Sequence, residues 1–399
     1  MIKLSNKARA IKPSPTLAVM SKAKAYIAKG IDVINFGVGE PDFNTPEYIK
    51  DAGIKAIQEN FTRYTPTPGI LPLREAIAKK FKVENGLDYD PNQILVSPGA
   101  KASIVFILMA VCDAGDQVII PSPYWVSYPD QVDIAGGKTL LLETKEEDNY
   151  KINPEDLKAL IADNPNVKAL MLNNPNNPTG AIYSQAELHL IGQICLENNI
   201  LIIADEIYEK LVYDNAKHYS IAALKPEFKD ITVIINGVSK AYAMTGWRLG
   251  YSAGPKYIID AASSLQGHIT SNTNSLTQKA AIAALVQDDG SIEKMRQEFE
   301  ERKAFMYAEL NKISNVTTTA PQGAFYIMVN IDYYLKHNTQ GLKNDVDLCS
   351  YLLEEAKIAI VPGSAFGNDK LVRFSYANSM DNLREGVKRF AQGLEKLIK

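Results

Sequence analysis

The sequence predicts an α/β protein: a large domain with a mostly parallel sheet between helices, and a smaller α+β domain beside it. Three observations lead there. Short apolar runs alternate with helix-like segments through the middle of the chain. Runs such as LIIAD show no polar alternation, so both faces of those strands must be covered. The chain has 399 residues, more than one ordinary core organises, so two domains are expected.

The elements follow in chain order. Residues 94–97 read as a short apolar strand that Gly99 breaks, and 102–110 as a buried helix. Strands are expected at 116–121, 138–143 and 167–173. A helix over 184–197 is marked by Ser184 and Glu187, which have capping-box spacing. The Ile-rich runs 200–205 and 231–236 are strands, and 248–253 is one more. A charged helical stretch begins near 285–300 and includes MRQEFEERKAFMYAEL. Beyond it lie a strand at 324–329, a helix at 346–357, and two short strands at 358–361 and 371–375. Residues 1–46 are turn-rich and lack a strong period. The expected division is therefore 47–290 for the large domain, and 1–46 with 291–399 for the small one.

Composition narrows the function. With 46% hydrophobic and 22% charged residues the profile is globular, and a net charge of -3 argues against a general grip on nucleic acid. Cys112, Cys195 and Cys349 are far apart and odd in number, which fits a reducing, cytoplasmic compartment. The N-terminus has no signal-peptide pattern, and no run approaches the ~18 apolar residues of a membrane span. His189, His218, His268 and His337 form no metal-like spacing, so no metal site is expected.

In an open parallel sheet, ligands bind beyond the carboxyl ends of the strands. Five successive strand ends carry chemistry here. They are Pro98-Gly99-Ala100-Lys101, Pro121-Ser122-Pro123-Tyr124-Trp125, Asn173-Asn174-Pro175-Asn176-Asn177-Pro178-Thr179-Gly180, Asp205-Glu206-Ile207-Tyr208 and Asn236-Gly237-Val238-Ser239-Lys240. Together they supply what a planar, phosphorylated cofactor needs. The glycines of Phe36-Gly37-Val38-Gly39-Glu40-Pro41-Asp42 are not a dinucleotide fingerprint, because the third glycine is missing and no strand–helix unit surrounds them.

The segment GVSKAYAMTGWRLG, residues 237–250, resembles throughout the attachment signature for pyridoxal 5'-phosphate (PLP) in class I aminotransferases of fold type I. The resemblance runs from Ser14 to Arg384, and with PSPTLAVMSKAKA it is similar in detail to the bacterial aspartate aminotransferases. It implies the fold type I architecture, with a seven-stranded sheet in the large domain. It also implies that Lys240 holds the cofactor covalently and moves the Cα proton of the substrate. Arg248 and the helix N-terminus at Gly99 and Ala100 would take the phosphate. Many relatives have a serine three residues before the lysine. Here that position is Gly237, and Ser239 is the hydroxyl nearer to Lys240.

By the same resemblance, Asp205 would keep the pyridine nitrogen protonated, although an aspartate there would also suit a helix N-cap. Tyr208 and Asn177 would reach the 3' oxygen, and Trp125 would stack on the ring. Arg373, with Asn177 and the backbone at Gly39, would hold the substrate α-carboxylate. Lys101 would begin the cofactor-binding helix and, helped by Thr16, receive the second carboxylate of aspartate. Tyr64 would reach the phosphate in the neighbouring subunit, which implies a C2 homodimer with shared sites. The expected reaction is amino transfer between amino acids and 2-oxo acids, aspartate to 2-oxoglutarate first, with prephenate, alanine or aromatic partners as alternatives. Other PLP reactions on this fold share much of the residue set. A regulator on this fold would carry an added DNA-binding domain, which is not expected here.

Overall fold

The computed structural model describes residues 3–5, 8–9 and 15–399, with no side-chain description at 15–20. Its main sheet has seven strands: β2 (Ile94–Ser97), β3 (Gln117–Ser122), β4 (Lys138–Glu143), β5 (Val167–Asn173), β6 (Leu201–Asp205), β7 (Thr232–Gly237) and β8 (Gly250–Ala253). Their order is β2-β8-β7-β6-β5-β3-β4. Neighbours from β4 through β7 are parallel, whereas β8 runs antiparallel to both β7 and β2. The reason is the connection. Parallel neighbours need a crossover, usually a helix, but β7 and β8 are joined only by a loop with one 3₁₀ turn, Thr245–Trp247, so the chain turns back. That loop carries both Lys240 and Arg248.

Central strands β5 and β6 are buried along nearly their whole length, while the edge strand β4 is mostly exposed or half-buried. Helices cover both faces. Ala100–Val111 packs with Lys256–Ile269 on one side, and Gln185–Glu197 lies in the cluster on the other. The Ser184 cap forms as the spacing predicts. Ser184 Oγ accepts from the Glu187 amide at 3.3 Å, and Glu187 Oε2 accepts from the Ser184 amide at 2.7 Å.

The smaller domain is built on β9 (Thr317–Thr318), β10 (Tyr326–Asn330), β12 (Val361–Pro362) and β13 (Leu371–Ser375), in the antiparallel order β12-β13-β10-β9. A two-stranded sheet pairs β1 (Ile34–Asn35) with β11 (Ile358–Ala359). The C-terminal helix Met380–Leu397 buries Leu383, Val387, Phe390, Leu394 and Leu397, an alternating four- and three-residue spacing that makes one apolar stripe. One core cluster joins these residues to Ile207, Tyr208, Leu211 and Tyr213 from the loop after β6. The two domains therefore share packing at the C-terminal end of β6, beside Asp205.

Four expectations change. The turn-rich N-terminal segment contains a helix, Pro15–Ala28, with Pro at its first position. Its sequence is rich in good helix formers but has only a weak apolar face, so periodicity does not reveal it. Arg248 precedes its strand rather than starting it, because its φ of 55° is left-handed. The run 358–361 splits between two sheets, β11 pairing with β1 and β12 with β13. The helical stretch near 285–300 is two helices, Ser275–Val286 and Ser291–Leu310, parted at Gly290 with φ 79°.

Candidate active site

A cavity of about 450 Å³ opens at the carboxyl ends of the central strands. Its lining includes Gly39, Ala100, Lys101, Trp125, Asn177, Asp205, Tyr208, Ser239, Lys240, Arg248 and Arg373. Residues scattered over more than 330 positions of sequence thus meet in one place: the main sheet delivers its strand-end loops to one edge, and the small domain adds Gly39 and Arg373.

Lys240 lies at the floor, where its ammonium donates to the Gly39 carbonyl at 2.6 Å. Burial lowers its pKa to about 8, with the cations Arg373 and Arg248 acting in the same direction and the carboxylates Glu40 and Asp205 opposing. The amine is therefore available as a base at mildly alkaline pH.

Asp205 is buried at the end of β6. Tyr128 donates to its Oδ2 at 2.7 Å, and the Ile207 amide donates to Oδ1 at 3.2 Å. Burial still pushes its pKa up to about 6, although these two donors and Lys240 pull it down. A buried carboxylate short of positive charge suits a protonated ring nitrogen.

The anion-binding end is built from backbone and guanidinium. Gly99 has φ 91°, and a Cβ there would lie 2.4 Å from Arg248 Nη2. Only glycine lets the helix start approach that guanidinium so closely. Arg248 donates to the Thr245 carbonyl at 3.0 Å, and its left-handed backbone costs about 1–2 kcal/mol. The strained residue brings its guanidinium beside Gly99, where the helix Ala100–Val111 begins, so that an anion there would meet both the charge and the first helix amides. Gly237 also has a steric reason. A Cβ there would meet Gly250 Cα and the Leu249 carbonyl, both at 2.9 Å, so the tight β7–β8 approach leaves no room for a serine.

Arg373 projects from β13 and is buried. It donates to Asn177 Oδ1 at 3.1 Å and to the Gly37 carbonyl at 3.3 Å, and its guanidinium stacks 4.3 Å from the Tyr326 ring centroid. Its Nε has no hydrogen-bond partner among the described residues. An unmet buried donor beside a cavity is what a carboxylate would complete. Asn177 is itself fixed, since its amide donates to Asn173 Oδ1 at 2.7 Å. Lys101 also lines the cavity, 5.0 Å from the Trp125 ring centroid, with its pKa lowered by burial and by Arg248.

The donor set thus fits PLP. Arg248 and the helix amides would hold a phosphate, Asp205 a ring nitrogen, Trp125 a ring face, and Lys240 an aldehyde carbon.

Gly99 is not in the lining itself but abuts Arg248, and two further expected residues stand apart. Tyr64 is 92% exposed and does not line this cavity. The side chain of Thr16 lies outside the described residues. In return, sequence reasoning missed Glu40, Tyr128, Thr245 and Tyr326, all of which line the cavity. Thr245 donates to Glu40 Oε2 at 2.7 Å. Of these, Tyr326 carried a faint signal as a hydroxyl in an otherwise apolar strand.

A Glu206, Glu209 and His218 cluster behind Asp205 was also invisible to spacing. The buried Lys80 ammonium pairs with Glu209, which also accepts from Asn236 Nδ2 at 2.8 Å and Asn85 Nδ2 at 2.9 Å.

The fold and the cavity define a PLP-dependent aminotransferase of fold type I. The family model for aminotransferase class I and II matches residues 31–390, and the chain belongs to that family. The chain is 49% identical over 394 residues to an aspartate aminotransferase of Geobacillus stearothermophilus, covering 99% of each chain. It is 46% identical over 395 residues to an aspartate/prephenate aminotransferase of Nitrosomonas europaea, covering 98% of this chain and 99% of the other. The crystal structure of the aspartate aminotransferase from Rhizobium meliloti matches with a TM-score of 0.95 at 38% identity, over 100% of both chains.

Proposed function

We propose that this chain transfers the amino group of L-aspartate to 2-oxoglutarate, giving oxaloacetate and L-glutamate with ping-pong kinetics. The observation that carries the reading is that two cations, Arg373 and Lys101, line the same cavity, one for each carboxylate of a dicarboxylic amino acid. When bound, PLP supplies an aldehyde for amines and a ring that accepts the electron pair left at the substrate Cα.

Each protein group then has a separate task. Arg373 and Asn177 orient the α-carboxylate, with the backbone at Gly39 beside them. Lys101, with Thr16, takes the distal carboxylate. Lys240 Nζ removes the proton at Cα and later returns one, which its lowered pKa favours. Asp205 would hold a proton on the ring nitrogen, Tyr208 and Asn177 would meet the 3' oxygen, and Trp125 would cover the ring. Arg248, Ser239 and the amides at Gly99 and Ala100 would hold the phosphate.

The same reading makes the working unit a homodimer with Tyr64 lent to the partner's phosphate. Its support is the exposure of Tyr64 and of Ile54, Ile57 and Leu71, all at least half exposed. We assign 47–290 to the large domain and the remainder to the small one. Three unpaired, buried cysteines support a cytoplasmic setting, and the net charge of -3 supports small-molecule rather than nucleic-acid partners. Among the described residues no helix is long and apolar enough to cross a membrane. Prephenate is a second acceptor class, because lysine is a flexible point charge with less geometric selectivity than arginine.

The test is product analysis of the PLP-loaded protein with aspartate and 2-oxoglutarate, alongside borohydride reduction and peptide mapping. Oxaloacetate and glutamate should form, and the reduced cofactor should sit on Lys240. Preference for alanine or an aromatic donor overturns the substrate, and a label on another lysine overturns the site.

A further inference from the structure

Tyr326 belongs to β10 of the small sheet, paired with Ser375 of β13, yet its side chain lines the cavity of the large domain. It is 1% exposed. Among the described residues its hydroxyl has one hydrogen-bond partner, the hydroxyl of Tyr208 at 3.1 Å. Its ring face lies under the Arg373 guanidinium. One side chain therefore touches both the phenol that faces the cofactor and the cation that faces the substrate.

Two hydroxyls joined by one hydrogen bond have one proton to spare, and the direction of that bond decides which keeps it. If Tyr208 donates to Tyr326, its proton is spent. If Tyr326 donates, the Tyr208 proton is free to point into the cavity. Arg373 settles the matter electrostatically. Its guanidinium lies 4.3 Å from the Tyr326 ring centroid; it favours negative charge on both phenols but lies against the ring of Tyr326 alone of the two, which makes Tyr326 the better donor. Among the described residues, the cation within ring-stacking distance of Tyr208 is Lys240, at 5.9 Å from its centroid.

We propose that Tyr326 is a positioning residue that donates its hydroxyl proton to Tyr208 and thereby fixes Tyr208 as the donor to the 3' oxygen of the cofactor. The proposal rests on the aminotransferase reading of the cavity and adds a residue to it. Small-sheet packing thereby enters the cofactor's electronics, since β10 is held by five residue pairs to the strand that carries Arg373.

The experiment is an absorbance titration of PLP-loaded protein, which reads the protonation midpoint of the linkage at Lys240 without turnover. A donor to the neighbouring 3' oxygen favours the proton-free form and lowers that midpoint, so weakening the donor raises it. Tyr208→Phe should raise the midpoint by about one pH unit, and Tyr326→Phe by about half a unit, as loss of a direct and of an indirect hydrogen bond would. The double variant should match Tyr208→Phe within about 0.2 unit, because both act through one proton. An unchanged or lowered midpoint in Tyr326→Phe, or additive shifts in the double variant, overturns the proposal while leaving the aminotransferase reading intact. A wild type with no pH-dependent visible band overturns both.

Discussion

The Tyr128 hydroxyl donates to Asp205 Oδ2 at 2.7 Å, where both side chains line the cavity. Both groups are buried, and they are 77 residues apart in sequence. Tyr128 opens the helix Tyr128–Ala135, so the β3 loop that carries Trp125 also braces the carboxylate. Without this donor the Asp205 carboxyl would be pushed still higher than about 6, because burial already dominates it. Tyr128→Phe should therefore weaken PLP retention by roughly two- to tenfold, as one lost hydrogen bond would. Equilibrium dialysis of PLP measures it, and undiminished affinity would show that Asp205 needs no such brace.

Asp205→Asn separates stability from function. In the cofactor-free protein the folded carboxyl titrates near pH 6, above its ordinary value. The folded state then holds the proton more tightly than the unfolded chain. The destabilisation is absent at pH below about 4 and grows as pH rises to 6. Asp205→Asn should thus raise the melting temperature of cofactor-free protein at pH 7 to 8, with the gain shrinking toward zero near pH 4. The loaded variant should lose more than about tenfold in kcat, since a neutral amide cannot hold a ring proton as a carboxylate does. Melting curves across pH test the first half. A pH-independent difference would mean the carboxyl is not the source.

Lys101→Ala tests the substrate. The loss of a charge-assisted contact should lower kcat/KM for aspartate by roughly ten- to a thousandfold. Alanine, which has no second carboxylate, should change far less. The measurement is a pair of kcat/KM values before and after substitution. An equal fall for both amino acids would assign Lys101 to the cofactor or the fold.

Tyr64 tests the assembly. It is 92% exposed on this chain, so a contribution to its own cavity is not expected. Tyr64→Phe should reduce PLP retention about two- to tenfold in the dimer, through one phosphate hydrogen bond. Sedimentation at graded dilution with activity measured in parallel checks the shared site. Monomers that keep full activity would contradict it.

The chain itself determined the alternation of strands and helices, the Ser184–Glu187 cap, and the loop that carries Lys240, whereas it placed Arg248 in the next strand. Each depends on neighbours in sequence: apolar runs, cap spacing, and residues placed just after a strand. The strand-end clusters were legible for the same reason, because a parallel sheet sends them all to one edge. Tertiary structure alone decided that Tyr128 meets Asp205, that Tyr326 crosses from the small sheet to Tyr208, and that Lys80 enters the Glu206, Glu209 and His218 cluster. It also decided why position 237 is glycine, since the obstacle is the backbone of Leu249 and Gly250 across the β7–β8 pair. Strand order and domain packing set such contacts, and they leave no periodic trace in the sequence.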